Sequence, residues 1–330
     1  MLHKTQSGEP CALVSSIQHY TIHDGPGIRT AVFFTGCTMR CMWCSNPETI
    51  EPFQRLGIYP ARCLLRHNCG RCVDSCPAGG APVEFDGSGR LESLRMAKEC
   101  SSCLRCADSC PTMAIKLWGE KKTLPELMRV IESDRGFYDR SGGGVTLNGG
   151  EVMMQWEFAE MLLRACKEAG IGTCVETALH CPAEHMEAVY NYTDLVIADL
   201  KHMDSGVHRG FTGVGNELIL SNLKRTVALG KTLIVRTPVV PGYNGDEQSI
   251  RDIGRFLRDE LSGGVAAYQL LPFRKLGTEK YESLMLKYPM ESYEPPERSE
   301  LDRELARLSE MLADEYGLRY SHPSKSLTLH

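Results

Sequence analysis

Three cysteines offer the first chemistry in this chain. Cys37, Cys41 and Cys44 fall in the run T-A-V-F-F-T-G-C-T-M-R-C-M-W-C-S-N-P (residues 30–47), separated by three and then two residues. A structural zinc takes four closed ligands, usually as C-x-x-C pairs, so three thiolates on one loop do not suit it. They suit three irons of a cubic 4Fe-4S cluster and leave the fourth iron open, where a small molecule can bind and be reduced. The bland alternative is three unrelated reduced thiols on a loop.

Eight more cysteines follow in two runs, Cys63-x5-Cys69-x2-Cys72-x3-Cys76-Pro77 and Cys100-x2-Cys103-x2-Cys106-x3-Cys110-Pro111. This is the bacterial ferredoxin pattern written twice, and in that pattern the fourth cysteine of each run ligates the other cluster. The assignment is therefore Cys63, Cys69, Cys72 and Cys110 to one 4Fe-4S cluster, and Cys76, Cys100, Cys103 and Cys106 to the other. The x5 spacing stretches the first run and makes Cys63 the least regular ligand. A zinc ribbon is the competing reading of the C-x2-C pairs, and the third cysteine and the Cys-Pro ending of each run argue against it.

The elements that must position these groups read as strand, loop, helix, repeated. An apolar run at residues 31–34 precedes Cys37 and reads as a buried strand. Further strands are expected at residues 144–149, 172–177, 195–200, 233–240 and 266–271. Residues 14–22 read as a first or edge strand. Thr123, Pro125 and Glu126 mark a helix start with a capping box, residues 158–169 form an amphipathic helix, and residues 297–316 form a charged outer helix. Six βα units imply a parallel sheet too short to close an eight-stranded barrel. The expected fold is α/β: a partial (β/α)6 barrel, residues 1–58 and 119–330, interrupted by a ferredoxin-like insert at residues 59–118 with two 4Fe-4S clusters.

Ligands of parallel sheets sit at the carboxyl ends of the strands. The Cys37 loop, Gly149-Gly150-Glu151, the stretch Asp199-Leu200-Lys201 and the turn Pro272-Phe273-Arg274 all fall at such ends and can converge on one site. The glycine pair lets backbone approach a ligand closely. Taken singly, Gly149 and Gly150 read equally well as a plain turn, and Asp199 and Lys201 as surface charges. The turn at residues 23–30, H-D-G-P-G-I-R-T, is flanked by Asp24 and Arg29 and stands close enough to the cluster loop to cover it or to meet a partner.

The chain has 330 residues, 42% hydrophobic and 24% charged, with a net charge of -5. An acidic balance without a clustered basic face argues against nucleic acid as partner. The N-terminal run lacks the apolar core of an export signal, and no stretch reaches about 18 apolar residues, so neither secretion nor a membrane span is expected. Of 15 cysteines, 11 lie in the three groups above, leaving Cys11, Cys166, Cys174 and Cys181, of which the last three read as buried thiols in the barrel. Clustering without an export signal points to metal in an anaerobic cytoplasm rather than to disulfides.

Together, H-D-G-P-G-I-R-T, F-F-T-G-C-x3-C-x-W-C-S-N-P-E, the inserted ferredoxin cysteines, G-V-T-L-N-G-G-E, D-L-K-H and L-L-P-F-R-K-L-G resemble the glycyl-radical enzyme activating enzymes. These are radical S-adenosylmethionine (SAM) proteins related to the pyruvate formate-lyase activase; the insert places the likeness with the larger activases, closest in look to those for choline and isethionate lyases. The resemblance implies that SAM chelates the open iron at Cys37, Cys41 and Cys44. It also implies reductive cleavage of SAM to a 5′-deoxyadenosyl radical, and hydrogen abstraction from a backbone glycine of a partner enzyme. SAM contacts are implied at Trp43, Cys44, Ser45, Gly149, Gly150, Glu151, Asp199, Leu200 and Lys201. Asp24 would face the partner's glycine loop, and Glu176 and Thr177 with Asp199 match a monovalent-cation position of the short activase.

Two departures from the family pattern stand out. Asn148-Gly-Gly-Glu-Val152 replaces S-G-G-E-P, and Phe273-Arg274 replaces the Tyr-His that ends the last strand. Arg274 is left either to hold the SAM carboxylate or to face solvent, since a guanidinium only donates. The resemblance further implies a flavodoxin or ferredoxin electron donor and a monomer that docks transiently on a glycyl-radical enzyme. A radical SAM enzyme acting on a small molecule or a peptide side chain is the alternative function. A pure electron carrier has no need of the three-cysteine loop.

Overall fold

The computed structural model describes residues 2–5, 7–94, 100–261 and 263–318. A long antiparallel strand, β1 (Pro10–Thr21), flanked on its outer side by the short strands His3–Lys4 and Glu120–Thr123, turns into β2 (Arg29–Phe34), the apolar run before Cys37. Five more strands follow: β3 (Gly144–Gly149), β4 (Gly172–Thr177), β5 (Leu195–Asp199), β6 (Thr232–Val239) and β7 (Val265–Pro272). From β2 to β7 every neighbouring pair is parallel and in chain order. Six parallel strands make a partial barrel, as the spacing of the strand signals predicts.

The register keeps the carboxyl ends level: Phe34 lies beside Gly149, Thr177 beside Ala198, Asp199 beside Arg236 and Val239 beside Pro272. Loops leaving these ends therefore face one another. Alternation along each strand divides the side chains between two layers. Val145, Leu147, Val175, Val196, Ala198, Val235 and Leu270 join the main core under the helices. Cys174, Leu195, Ile197, Ile234 and Ala267 form a second, smaller cluster on the other face, inside the barrel.

The helices are held by their apolar stripes. Trp156–Glu168 buries Phe158, Ala159, Leu162, Leu163 and Cys166, each large side chain worth about 1.5–3 kcal/mol. Leu124–Ser133 starts as expected: Glu126 accepts from the Thr123 backbone N–H at 2.7 Å and from its hydroxyl at 2.8 Å. The outer helix, Arg298–Tyr316, packs Leu301, Leu305, Leu308 and Leu312 into the core beside the helix Glu247–Asp259.

Between β2 and β3 the chain leaves the barrel and builds two small sheets. Arg55–Ile58 pairs with Ile115–Trp118, and Val83–Phe85 pairs with Leu91–Leu94. The doubled cysteine run is also a doubled backbone. Each run carries a one-turn helix, Arg71–Asp74 and Arg105–Asp108, each preceded by a left-handed residue, Gly70 and Leu104. The two turns meet where the Ser75 and Ser109 hydroxyls lie 2.8 Å apart.

Candidate active site

The loop after β2 is fixed by backbone before any side chain acts. Gly36, at φ +98°, donates to the Thr49 carbonyl at 2.7 Å, and Cys37 N–H donates to Ile50 at 2.9 Å. Arg40 and Met42 N–H groups donate to the Thr212 and Phe211 carbonyls at 2.7 and 2.9 Å, so the helix Ser205–Thr212 pins the far side. Two sulfurs receive backbone donors: Met39 N–H to Cys37 Sγ and Asn46 N–H to Cys44 Sγ, both at 3.4 Å. Trp43 packs on Phe211 and Tyr243 with ring centroids 4.8 and 6.3 Å away, which closes that edge with aromatic surface.

All three cysteines border one cavity of about 300 Å³. Trp43, Ser45, Gly149, Gly150, Asp199 and Lys201 border it too, so most of the expected SAM contacts converge on the cysteines. Asp24, Glu176 and Thr177 complete the ring from the barrel side. Burial pushes the Cys37 and Cys41 thiols up to about 12 and that of Cys44 up to about 11. Thiols this reluctant to ionise need a cation beside them to become thiolates, which is what iron ligation supplies.

Lys201 donates to Asp199 at 2.6 Å and is nearly buried. Burial works against its ammonium, but Asp199 and the Cys41 sulfur more than offset that and hold its pKa above the ordinary lysine value. Deeper in the barrel, Arg236 donates to Glu176 at 2.9 Å, to Gln269 at 2.7 Å and to the His23 carbonyl at 2.5 Å. Asn148 donates to the Asp24 carboxylate at 3.2 Å. Arg29 is buried against the Thr146 hydroxyl and the Pro26 and Val145 carbonyls, so it anchors the H-D-G-P-G turn while Asp24 faces the cavity.

Three expected contacts lie elsewhere. Glu151 is fully buried and its carboxylate accepts from the Thr177 hydroxyl at 2.6 Å, Ala178 N–H at 2.9 Å and Met153 N–H at 3.1 Å; it braces the loop instead of facing the cavity. Leu200 points into the main core because strand alternation sends Asp199 and Lys201 the other way. Arg274 is exposed and stands outside the cavity, on the solvent side of the turn. Sequence spacing missed Arg236 and Asn148, which lie within strands and show themselves only once strand faces are known.

The insert holds two cavities whose cysteines sort as the ferredoxin pattern expects. Cys63, Cys69, Cys72 and Cys110 border one, and Cys76, Cys100, Cys103 and Cys106 border the other. The first is walled by the insert alone, with Pro111 beside Cys110. The second is walled partly by residues 53–56 and by Leu284 and Met285, and so abuts the barrel. Among the described residues no three His, Cys, Asp or Glu donors gather closely enough to hold a single metal ion. Cys11, Cys166, Cys174 and Cys181 are buried free thiols.

Comparison with known proteins agrees with this geometry. The radical SAM superfamily model matches residues 103–253, and a 4Fe-4S single cluster domain model matches residues 23–74, which contain the three-cysteine loop. The chain therefore carries a radical SAM domain. It is 42% identical to the (2S)-3-sulfopropanediol dehydratase activating enzyme of Klebsiella oxytoca, over 95% of this chain and 96% of that one. It is also 42% identical to the choline trimethylamine-lyase activating enzyme of Oleidesulfovibrio alaskensis, over 88% and 93%. Identity to the isethionate sulfite-lyase activating enzyme of Desulfovibrio desulfuricans is 39%, over 84% and 88%. The chain belongs to the glycyl-radical enzyme activating enzymes. Among the described residues no helix is long and apolar enough to cross a membrane.

Proposed function

We propose that the cavity at the carboxyl ends of β2 to β6 binds a 4Fe-4S cluster on Cys37, Cys41 and Cys44 with SAM against it, and that the radical formed there activates a partner enzyme at a backbone glycine. The observation that carries this is the meeting of three thiols, the Gly149-Gly150 pair, the Asp199–Lys201 ion pair and Asp24 around one cavity. The residues present fit both groups: two of the sulfurs already receive backbone N–H donors, and the cradle at Gly150 has no room for a Cβ. When bound, the cluster supplies the electron that splits the sulfonium of SAM.

The chain's own residues hold, orient and exclude. Gly149 and Gly150 would let backbone meet the methionyl end of SAM, and the ammonium of Lys201, fixed by Asp199, would supply a positive charge for its carboxylate. Trp43, Phe211 and Tyr243 keep water from the loop edge. Asp24, aimed by Asn148, marks the side from which the partner's glycine approaches. No general base is required, because a carbon radical takes a hydrogen atom and not a proton.

The two cysteine cavities of the insert, residues 59–118, hold the two further 4Fe-4S clusters, giving three in all. Cys76, Cys100, Cys103 and Cys106 would hold the cluster on the side that abuts the barrel, and the pair would supply electron relay toward the SAM site. A cytoplasmic flavodoxin or ferredoxin is the donor, and the chain works as a monomer. The relatives' names point to a partner that is a lyase or dehydratase of a short polar substrate such as a sulfonate or choline.

The deciding test reconstitutes iron anaerobically, adds dithionite and SAM, and follows 5′-deoxyadenosine together with electron paramagnetic resonance (EPR) of a candidate partner. The expected result is nucleoside plus a partner glycyl doublet, both lost in Cys41→Ala. Nucleoside without a doublet, across sulfopropanediol, choline and isethionate enzymes, would turn the reading to a small-molecule or peptide substrate.

A further inference from the structure

The turn after β7 returns to the cluster loop and grips it residue by residue. Gly277, at φ +77°, lies so close to the Ser45 carbonyl that a Cβ there would sit 2.3 Å from its oxygen. Tyr281 donates its hydroxyl to the Cys44 carbonyl at 3.1 Å. Lys280 donates to Asn46 Oδ1 at 2.9 Å and to Glu48 Oε1 at 2.7 Å. Asn46 in turn borders the cavity and donates its backbone N–H to Cys44 Sγ at 3.4 Å. Residues 277–281 thus hold each of Cys44, Ser45 and Asn46.

Glu48 gives this contact its electrostatic character. Its side chain is 2% exposed, while that of Lys280 is 25% exposed. Ser15 offers Glu48 a long hydroxyl contact of 3.3 Å to the same oxygen that Lys280 reaches, and Glu48 Oε2 is buried with no hydrogen bond to protein. Lys116, the other cation nearby, is held on the Trp118 ring at 3.5 Å. Among the described residues Lys280 is thus the one ammonium in hydrogen-bond contact with this buried carboxylate four residues past Cys44, and Lys116 acts on it only through space. Without Lys280, a negative charge stands unpaired beside the cluster site, and a nearby negative charge disfavours adding an electron.

We propose that Lys280 is a positioning residue for the SAM cluster: it orients Asn46 at the Cys44 sulfur and cancels the charge of Glu48, so that the cluster stays reducible. The proposal rests on the three-cysteine loop holding that cluster. It assigns a task to a side chain more than 230 residues away, in a segment whose next residues, Leu284 and Met285, wall the barrel-side cavity of the insert.

The test is an EPR redox titration at pH 8 of reconstituted wild type, Lys280→Met, Lys280→Arg and the double variant Glu48→Gln/Lys280→Met. The cluster under study is identified by its change of signal on adding SAM, with iron content and melting temperature measured alongside. Lys280→Met is expected to show an about tenfold smaller reduced fraction at a fixed poise, the size of one uncompensated charge at medium range. Lys280→Arg should restore it, and the double variant should recover most of it because the lone charge is gone. Lys280→Met that loads no iron at this site, beside a double variant that does, gives the same answer. A Lys280→Met titration matching wild type, or a double variant no better than the single one, overturns the proposal. A wild-type protein with no SAM-responsive signal would instead count against the proposed function itself.

Discussion

Replacing Gly150 by alanine is the sharpest probe of how the cavity is built. A Cβ at this position would lie 2.3 Å from the Gly36 carbonyl oxygen and 2.7 Å from that of Thr49. Neither obstacle is a side chain that can swing away. The Gly36 oxygen accepts from Glu151 N–H at 2.7 Å, and the Thr49 oxygen accepts from Gly36 N–H at 2.7 Å. Relief therefore requires backbone movement of about 1 Å in the segment that leads directly into Cys37. Overpacking of this kind costs about 1–3 kcal/mol, and here it displaces Cys37, the first of the three cysteines at the cavity. Gly136→Ala is the control, since no atom lies within 4 Å of its added Cβ and alanine favours its helix. Thermal melting and EPR of both reconstituted variants decide the matter. Gly150→Ala should melt lower and lose the SAM-responsive signal while keeping the signals of the insert; Gly136→Ala should do neither. A Gly150→Ala protein with wild-type melting and a full SAM response would refute the close-packed cradle.

Two other expectations follow from the same structure. Arg236→Met leaves Glu176 unpaired inside the barrel. Removing one partner of a buried pair costs about 3–5 kcal/mol, and the 23% exposure of Glu176 to the cavity should hold the loss below that range in a denaturant titration. Burial works against the Arg236 cation and Glu176 with Asp199 more than offsets it, so Arg236→Met/Glu176→Gln should recover much of the loss. Cys110→Ala should abolish the same EPR species as Cys69→Ala and spare the one lost in Cys103→Ala, because Cys110 shares its cavity with the first run.

The barrel was legible because its signals are local. Each strand is a short apolar run that stops at Gly, Pro or a charge, and the six runs appear in the order in which they pair. Which cysteines share a cavity was legible for the same reason: their spacing is written in neighbouring residues. Side-chain direction was not. Glu151 and Gly150 are adjacent, yet one carboxylate turns onto Thr177 while the other residue borders the cavity. Leu200 sits between two cavity residues and faces the core. Arg274 occupies the place of a family histidine and points to solvent. The contacts of Arg236 with Glu176 and of Lys280 with Glu48 join residues 60 and 232 positions apart, and no periodicity reports such a meeting.

The insertion of residues 59–118 between β2 and β3 also bears on how the protein is made. β2 and the three-cysteine loop leave the ribosome early, but their neighbour β3 follows only after the whole insert, and Lys201 and Lys280 later still. Bringing such distant partners together is the slow part of folding, since loop closure must precede the contacts that reward it. The cavity of Cys63, Cys69, Cys72 and Cys110 is complete once the strand Ile115–Trp118 exists, whereas that of Cys76, Cys100, Cys103 and Cys106 waits for Leu284 and Met285. Assembly is therefore ordered along the chain: the first cysteine cavity of the insert closes before the cavity that Cys37, Cys41 and Cys44 share with Lys201.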